Sequence, residues 1–132
     1  MGLFNRTRKP LQFFETMNRE TDFLEKLAKA YQTYDASIVE DDLADDVHYA
    51  SFWVFQELTS KEEYLDYLKD KLQTMKNTGT THDFRIVDGL RHSKALLITK
   101  INGNDDNGGG FVVDFNEEGK VEMINLTMPA FF

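Results

Sequence analysis

Three histidines, His48, His82 and His92, are the side chains of this 132-residue chain whose ordinary pKa lies near neutrality. They are the natural candidates for moving protons. His82 adjoins Asp83 at the start of an alternating run, Thr80–Asp88, that reads as a strand, and it is the acid–base candidate by position. His48 falls on a strand face opposite Tyr49 and Ser51, which directs it outward or into a subunit interface. His92 falls in a turn, Gly89–Ser93, where solvent surrounds it. There is no cysteine, which excludes disulfides and thiolate metal sites. No histidine–carboxylate spacing of the zinc type occurs, so no metal is expected. The polar stretch Asn102–Gly109 offers oxygens at Asn102, Asn104 and Asp106 in calcium-loop order. The loop then needs glycine where Asn107 stands and glutamate where Val113 stands. It therefore reads as a long polar hairpin turn, and no cofactor is expected.

The elements that would hold these residues follow from periodicity. Pro10 can open a helix with Leu11, Phe13, Phe14 and Met17 on one side. Residues 1–19 are thus a tail or a short extra helix, either separate from the next helix or an early extension of it. From Thr21, Phe23, Leu24, Leu27, Ala28, Tyr31 and Tyr34 recur at helical spacing until Asp35. Ser37 with Glu40 has the pattern of a capping box and suggests a short second helix to Leu43. Asp45-Asp46 reads as a turn signal rather than a catalytic pair. A strand over Val47–Val54 comes next, with both faces largely apolar, and Phe55–Leu58 returns as a short partner strand. Ser60 with Glu63 is a second capping box. It opens a helix to about Asn77 whose buried stripe is Tyr64, Leu65, Leu68, Leu72 and Met75, stopped by Gly79. The remainder reads as four strands, 80–88, 94–101, 110–115 and 121–128.

Composition limits the partners. A net charge of −8 opposes binding to a phosphate backbone, and the one dense basic run, Arg6–Lys9, reads as a solvated tail. No stretch approaches the roughly 18–20 apolar residues of a membrane helix, and no signal peptide is legible. The expectation is a cytoplasmic protein that contacts neither nucleic acid nor membrane.

Helices followed by antiparallel strands make an α+β fold. The order helix, helix, two strands, helix, four strands resembles the nuclear transport factor 2-like superfamily. The likeness is carried by the helix Phe23–Tyr34, the corner Ala44-Asp45-Asp46-Val47, the aromatic strand after it, the Leu58-Thr59-Ser60-Lys61-Glu62 lead into the third helix, and Gly119-Lys120-Val121. It spans residues 20–128 and implies one domain over 20–132. The implied architecture is cystatin-like: a strongly bent antiparallel sheet wrapped as a cone around three helices. The same superfamily holds ketosteroid isomerases, scytalone dehydratase, SnoaL-like cyclases and kinase association domains.

The chemistry that the resemblance implies depends on position. The isomerase base matches Ser51, a hydroxyl that cannot abstract a proton without a partner base. The isomerase acid falls near Phe111, which has no proton to donate to an oxyanion. Tyr31 could match the isomerase's helix-one tyrosine. Dehydratase-type and cyclase-type members use histidine with aspartate, which here means His82 with Asp83. By the same likeness and by strand alternation, Tyr49, Ser51 and Trp53, then Phe111, Val113 and Phe115, then Ile124, Leu126 and Met128 line the cone beside Tyr31. Such a lining suits a small hydrophobic molecule; alternatively these residues fill the cone as core. The reading is therefore a binding domain without catalysis. Its alternatives are a lyase or isomerase using His82-Asp83 or Tyr49-Ser51, and a homo-oligomeric interaction module. The outer sheet face is the expected homodimer surface.

Overall fold

The computed structural model describes residues 10–52, 57–106 and 108–132, with the side chains of 10–17 left aside. The described residues form helices α1 (Pro10–Thr33), α2 (Ser37–Glu40) and α3 (Lys61–Thr78). They also form strands β1 (Leu43–Ser51), β2 (His82–Asp88), β3 (Lys94–Ile101), β4 (Asn104–Asp105), β5 (Gly110–Phe115) and β6 (Val121–Thr127), with a 3-10 turn at Pro129–Phe131. Trp53, Val54 and the first half of the expected return strand Phe55–Leu58 lie outside the described residues, as does the Arg6–Lys9 run. Leu58 itself makes an antiparallel bridge with Tyr49.

The long first helix settles one open alternative: from Pro10 the N-terminal segment runs unbroken into the helix expected from Thr21. Its stripe, Phe23, Leu24, Leu27, Ala30 and Tyr31, is buried against the sheet. Tyr34 ends it in the left-handed conformation at φ 58°, and the Asp35 N–H donates to Ala30 O at 2.9 Å. The Ser37 capping box does not form, because Asp35 captures the serine first. The Asp35 carboxylate accepts the Ser37 N–H at 3.0 Å and its hydroxyl at 2.6 Å. The second box does form. Ser60, in extended conformation, accepts the Glu63 N–H at 3.1 Å, and Glu63 Oε1 accepts the Thr59 N–H at 3.0 Å. Gly79 at φ 70° closes α3, with Gly79 N–H on Lys76 O and Thr80 N–H on Met75 O.

The strands make one curled, unclosed sheet in the order β1-β6-β5-β3-β2, with β4 on the edge of β3. Three details correct the sequence reading. The first strand begins at Leu43, so Asp45 and Asp46 lie within it, exposed, where its register with β6 shifts. That first strand runs parallel to β6, so the sheet is not wholly antiparallel. The expected long turn is also shorter: Asn102 and Gly103, at φ 53° and 77°, make a two-residue hairpin from β3 into β4. Positive φ at both central positions is what Asn-Gly supplies at low cost.

The sheet's concave face and the helices enclose one main core built on Leu24, Leu27, Tyr31, Tyr49, Tyr64, Leu68, Leu72, Leu96, Phe111 and Ile124. On the convex face Phe132 folds back over Ala95 and Val112. The Phe132 backbone oxygen accepts the Arg91 and His92 N–H groups. The chain thus covers part of its own outer face with its last described residue.

Candidate functional site

Alternation decides which strand residues look inward, and register decides how deep they sit. On β5 and β6 the pairs Phe111–Leu126 and Val113–Ile124 stand side by side, and parallel pairing adds Ser51 to the first row and Tyr49 to the second. The second row lies where the helices fill the cone. Tyr49, Val113 and Ile124 are each 1% exposed or less, packed as core. The first row faces the open end. There a cavity of about 330 Å³ is walled by Tyr31 from α1, Ile98 and Ile101 from β3, Phe111 from β5 and Leu126 from β6. Lys71 from α3 and His82 from β2 form its polar side, and Phe52, Asp106, Gly109 and Met128 its rim.

The expected lining residues thus divide. Tyr31, Phe111, Leu126 and Met128 border the cavity, and so does His82. Tyr49, Val113 and Ile124 lie deeper. Ser51 is buried in the Phe111 row without reaching the cavity. Phe115 lies at the opposite end of the cone, with the Arg19 guanidinium 5.6 Å from its ring centre. Trp53 is outside the described residues. Asp83 is exposed on the strand face away from His82, so the adjacent pair does not converge. Lys71, Ile98, Ile101, Asp106, Gly109 and Phe52 were not expected. Alternation along β3 could have found Ile98, whereas Lys71 flanks the buried stripe of its helix and carries no sequence signal.

The aromatic wall has defined geometry. Tyr31 meets His82, Phe84 and Phe111 at centroid distances of 5.6, 5.7 and 5.6 Å. The His82 and Phe84 rings stack at 5.9 Å and 13°. These contacts hold the imidazole between strand and helix, half-buried, with Nδ1 buried and without a hydrogen-bond partner. Burial, then the Lys71 charge, push its pKa below the ordinary value, and Asp106 opposes them. His82 is therefore a neutral imidazole at pH 7 with an unused polar atom.

Deeper in the cone the tyrosines are inert as acids. The Tyr49 and Tyr64 rings meet tilted by 41° with centroids 5.1 Å apart, and their hydroxyls are buried without a hydrogen bond of good geometry, although those of Tyr67 and Ser51 lie near Tyr49. Burial raises the pKa of Tyr31, Tyr49 and Tyr64 far above the ordinary phenol value. None of them ionises at physiological pH.

The other histidines lie elsewhere. His48 is exposed, with Nδ1 3.3 Å from Glu57 Oε1. His92 is not solvated as its turn suggested. Its side chain is 19% exposed, its Nε2 lies 3.6 Å from Asp114, and its Nδ1 is buried. Glu20, on α1, faces the same corner, where Ser93 and the Lys94 N–H approach its carboxyl and burial raises its pKa. This cluster braces α1 against the β2–β3 turn, remote from the cavity. Among the described residues no group of three or more His, Asp and Glu is placed to hold a metal ion. Among them, too, no helix is long and apolar enough to cross a membrane.

No protein-family model and no curated protein matches the sequence. Solved structures do match the fold. A SnoaL-like protein of unknown function from Burkholderia thailandensis superposes with a TM-score of 0.65 at 15% identity, over 83% of this chain and 94% of that one. An NTF2-like protein of unknown function from Cytophaga hutchinsonii gives 0.56 at 9% identity, over 81% and 87%. An LEH-like epoxide hydrolase from M. tuberculosis gives 0.56 at 16% identity, over 84% and 82%. At such identities the likeness is one of fold: an α+β, cystatin-like cone.

Proposed function

We propose that this chain uses its nuclear transport factor 2-like cone to bind a small, largely apolar molecule, without a chemical step of the isomerase type. The observation that carries this reading is the partly enclosed cavity of about 330 Å³, apolar on its walls and polar at one side. The positions that would make it an isomerase hold Ser51 and Phe111, neither of which offers an acid, and Asp83 stands outside. Ligand screening by thermal shift tests the proposal, since a molecule that binds only the folded chain raises its melting temperature. Ile98→Trp and Met128→Trp, which fill the cavity from two sides, should each abolish those shifts while the protein stays folded. Absence of any ligand-induced shift, with both tryptophan variants more stable than the parent, would mean that the cavity is only a packing void.

One observation favours a second reading, proton transfer of the lyase or isomerase kind. A neutral imidazole borders the cavity, and with the proton on its sealed Nδ1 the accessible Nε2 would act as a base without Asp83. It would exchange acidic C–H protons of a bound ligand for deuterium in heavy water. His82→Gln must eliminate that exchange, and exchange that survives the substitution excludes His82 as the base.

A further inference from the structure

Lys71 and His82 border the cavity from opposite elements, α3 and β2, and their polar atoms are unused. Among the described residues Lys71 makes no ion pair. Its Nζ lies 5.9 Å from the Tyr67 ring centre, which leaves its hydrogen-bond donors free. His82 Nδ1 is sealed inside the wall with no partner, so the ring meets the cavity through its other edge, where Nε2 makes no hydrogen bond among the described residues. Two unsatisfied groups bordering one largely apolar cavity favour a ligand that satisfies both.

The sign of that ligand group follows from exposure. The cavity also holds a carboxylate, Asp106, but it is exposed at the rim, where water screens it. Lys71 is half-buried, so its charge acts through less water. The imidazole registers the imbalance: Lys71 lowers its basicity by more than Asp106 raises it. The polar side of the cavity is therefore positive despite the acidic surface of the whole chain.

We infer that the cavity takes an organic anion, a small apolar ring system with one ionised oxygen group seated against Lys71 Nζ and His82. The ring lies among Tyr31, Ile98, Phe111 and Leu126. The inference rests on the binding reading of the cone and narrows it to a chemical class. It also gives Lys71 a specific role: charge recognition, which a ring-binding cavity alone does not require.

The test compares pairs of equal shape and different charge, benzoate with benzamide and 1-naphthoate with 1-naphthamide, by isothermal titration calorimetry on the full chain. The carboxylates should bind about tenfold tighter than the amides, the ratio that one charge-assisted hydrogen bond supplies. Lys71→Met should bring that ratio to about one, and Lys71→Arg should retain most of it. Amides that bind as tightly as carboxylates overturn the anion assignment and leave the apolar cavity standing. A ratio that survives Lys71→Met overturns it as well. Failure of every probe to bind, charged or neutral, counts against the binding reading itself.

Discussion

The same substitution, tyrosine to phenylalanine, should change stability in opposite directions at two positions of this fold. Tyr64 is fully buried on α3, and its hydroxyl has no hydrogen-bond partner. A hydroxyl taken from water into an apolar interior without a partner costs about 1–3 kcal/mol on mutational scales. Removing it recovers that cost, less a few tenths of a kcal/mol for the small void left behind. Tyr64→Phe should therefore stabilise the protein by about 1–2 kcal/mol, a rise in melting temperature of roughly 3–8 °C for a domain of this size. Tyr34 is the contrast. Its hydroxyl donates to the Thr80 carbonyl at 2.8 Å and ties the end of α1 to the α3–β2 junction. Tyr34→Phe should cost about 1 kcal/mol, the net worth of one hydrogen bond. Urea unfolding of the parent and both variants, compared at constant m-value, measures the two changes directly. A Tyr64→Phe protein less stable than the parent by about 1 kcal/mol would refute the reasoning, because the hydroxyl would then be shown to have a partner.

Three further outcomes are expected. Ser60→Ala should cost about 1 kcal/mol through the lost cap, while Ser37→Ala, which loses only a solvent-exposed bond to Asp35, should stay within about 0.5 kcal/mol; thermal unfolding separates them. His82 has a folded-state pKa below its ordinary 6.5, so the unfolded chain takes up the proton first on acidification. Its contribution to stability is complete above about pH 6.5 and is lost as the pH falls from there towards the folded value, and His82→Gln should flatten that part of the profile between pH 8 and 5. Gly110→Ala would place a Cβ 2.6 Å from the Leu96 carbonyl oxygen and 2.7 Å from the Phe132 ring, and should destabilise by about 2 kcal/mol or more in urea.

The sequence made the faces of the cone legible but not their depth. Alternation correctly turned Phe111, Val113, Ile124 and Leu126 to the same side. It could not tell that Phe111 and Leu126 stand at the mouth while Val113 and Ile124 stand under the helices. That distinction is set by pairing between strands far apart in the chain. Capping shows a similar limit. Ser37 and Ser60 carry the same motif, and the competing carboxylate of Asp35, two residues before Ser37, decides that only one box forms. His82 was legible because it starts a strand at the cone's edge. Its neighbour Asp83 had to face the other way, since successive strand residues do. Lys71 was not legible, because a lysine beside an apolar helical stripe usually meets only water.

The parallel pairing of β1 with β6 also bears on how the chain reaches this structure. Leu43 finds its partner at Val121, so the first described strand of the chain pairs with the last. Closure of so long a loop has to precede any reward from the contact, which places this protein among slower folders. Until β6 arrives, the apolar sides of α1 and α3 have only a partial sheet to cover them, and β1 presents a bare edge. Loss of residues 121–127 would accordingly not trim a peripheral strand. It would remove the strand that joins the first half of the fold to the second, and leave a collapsed intermediate prone to pair with its own copies.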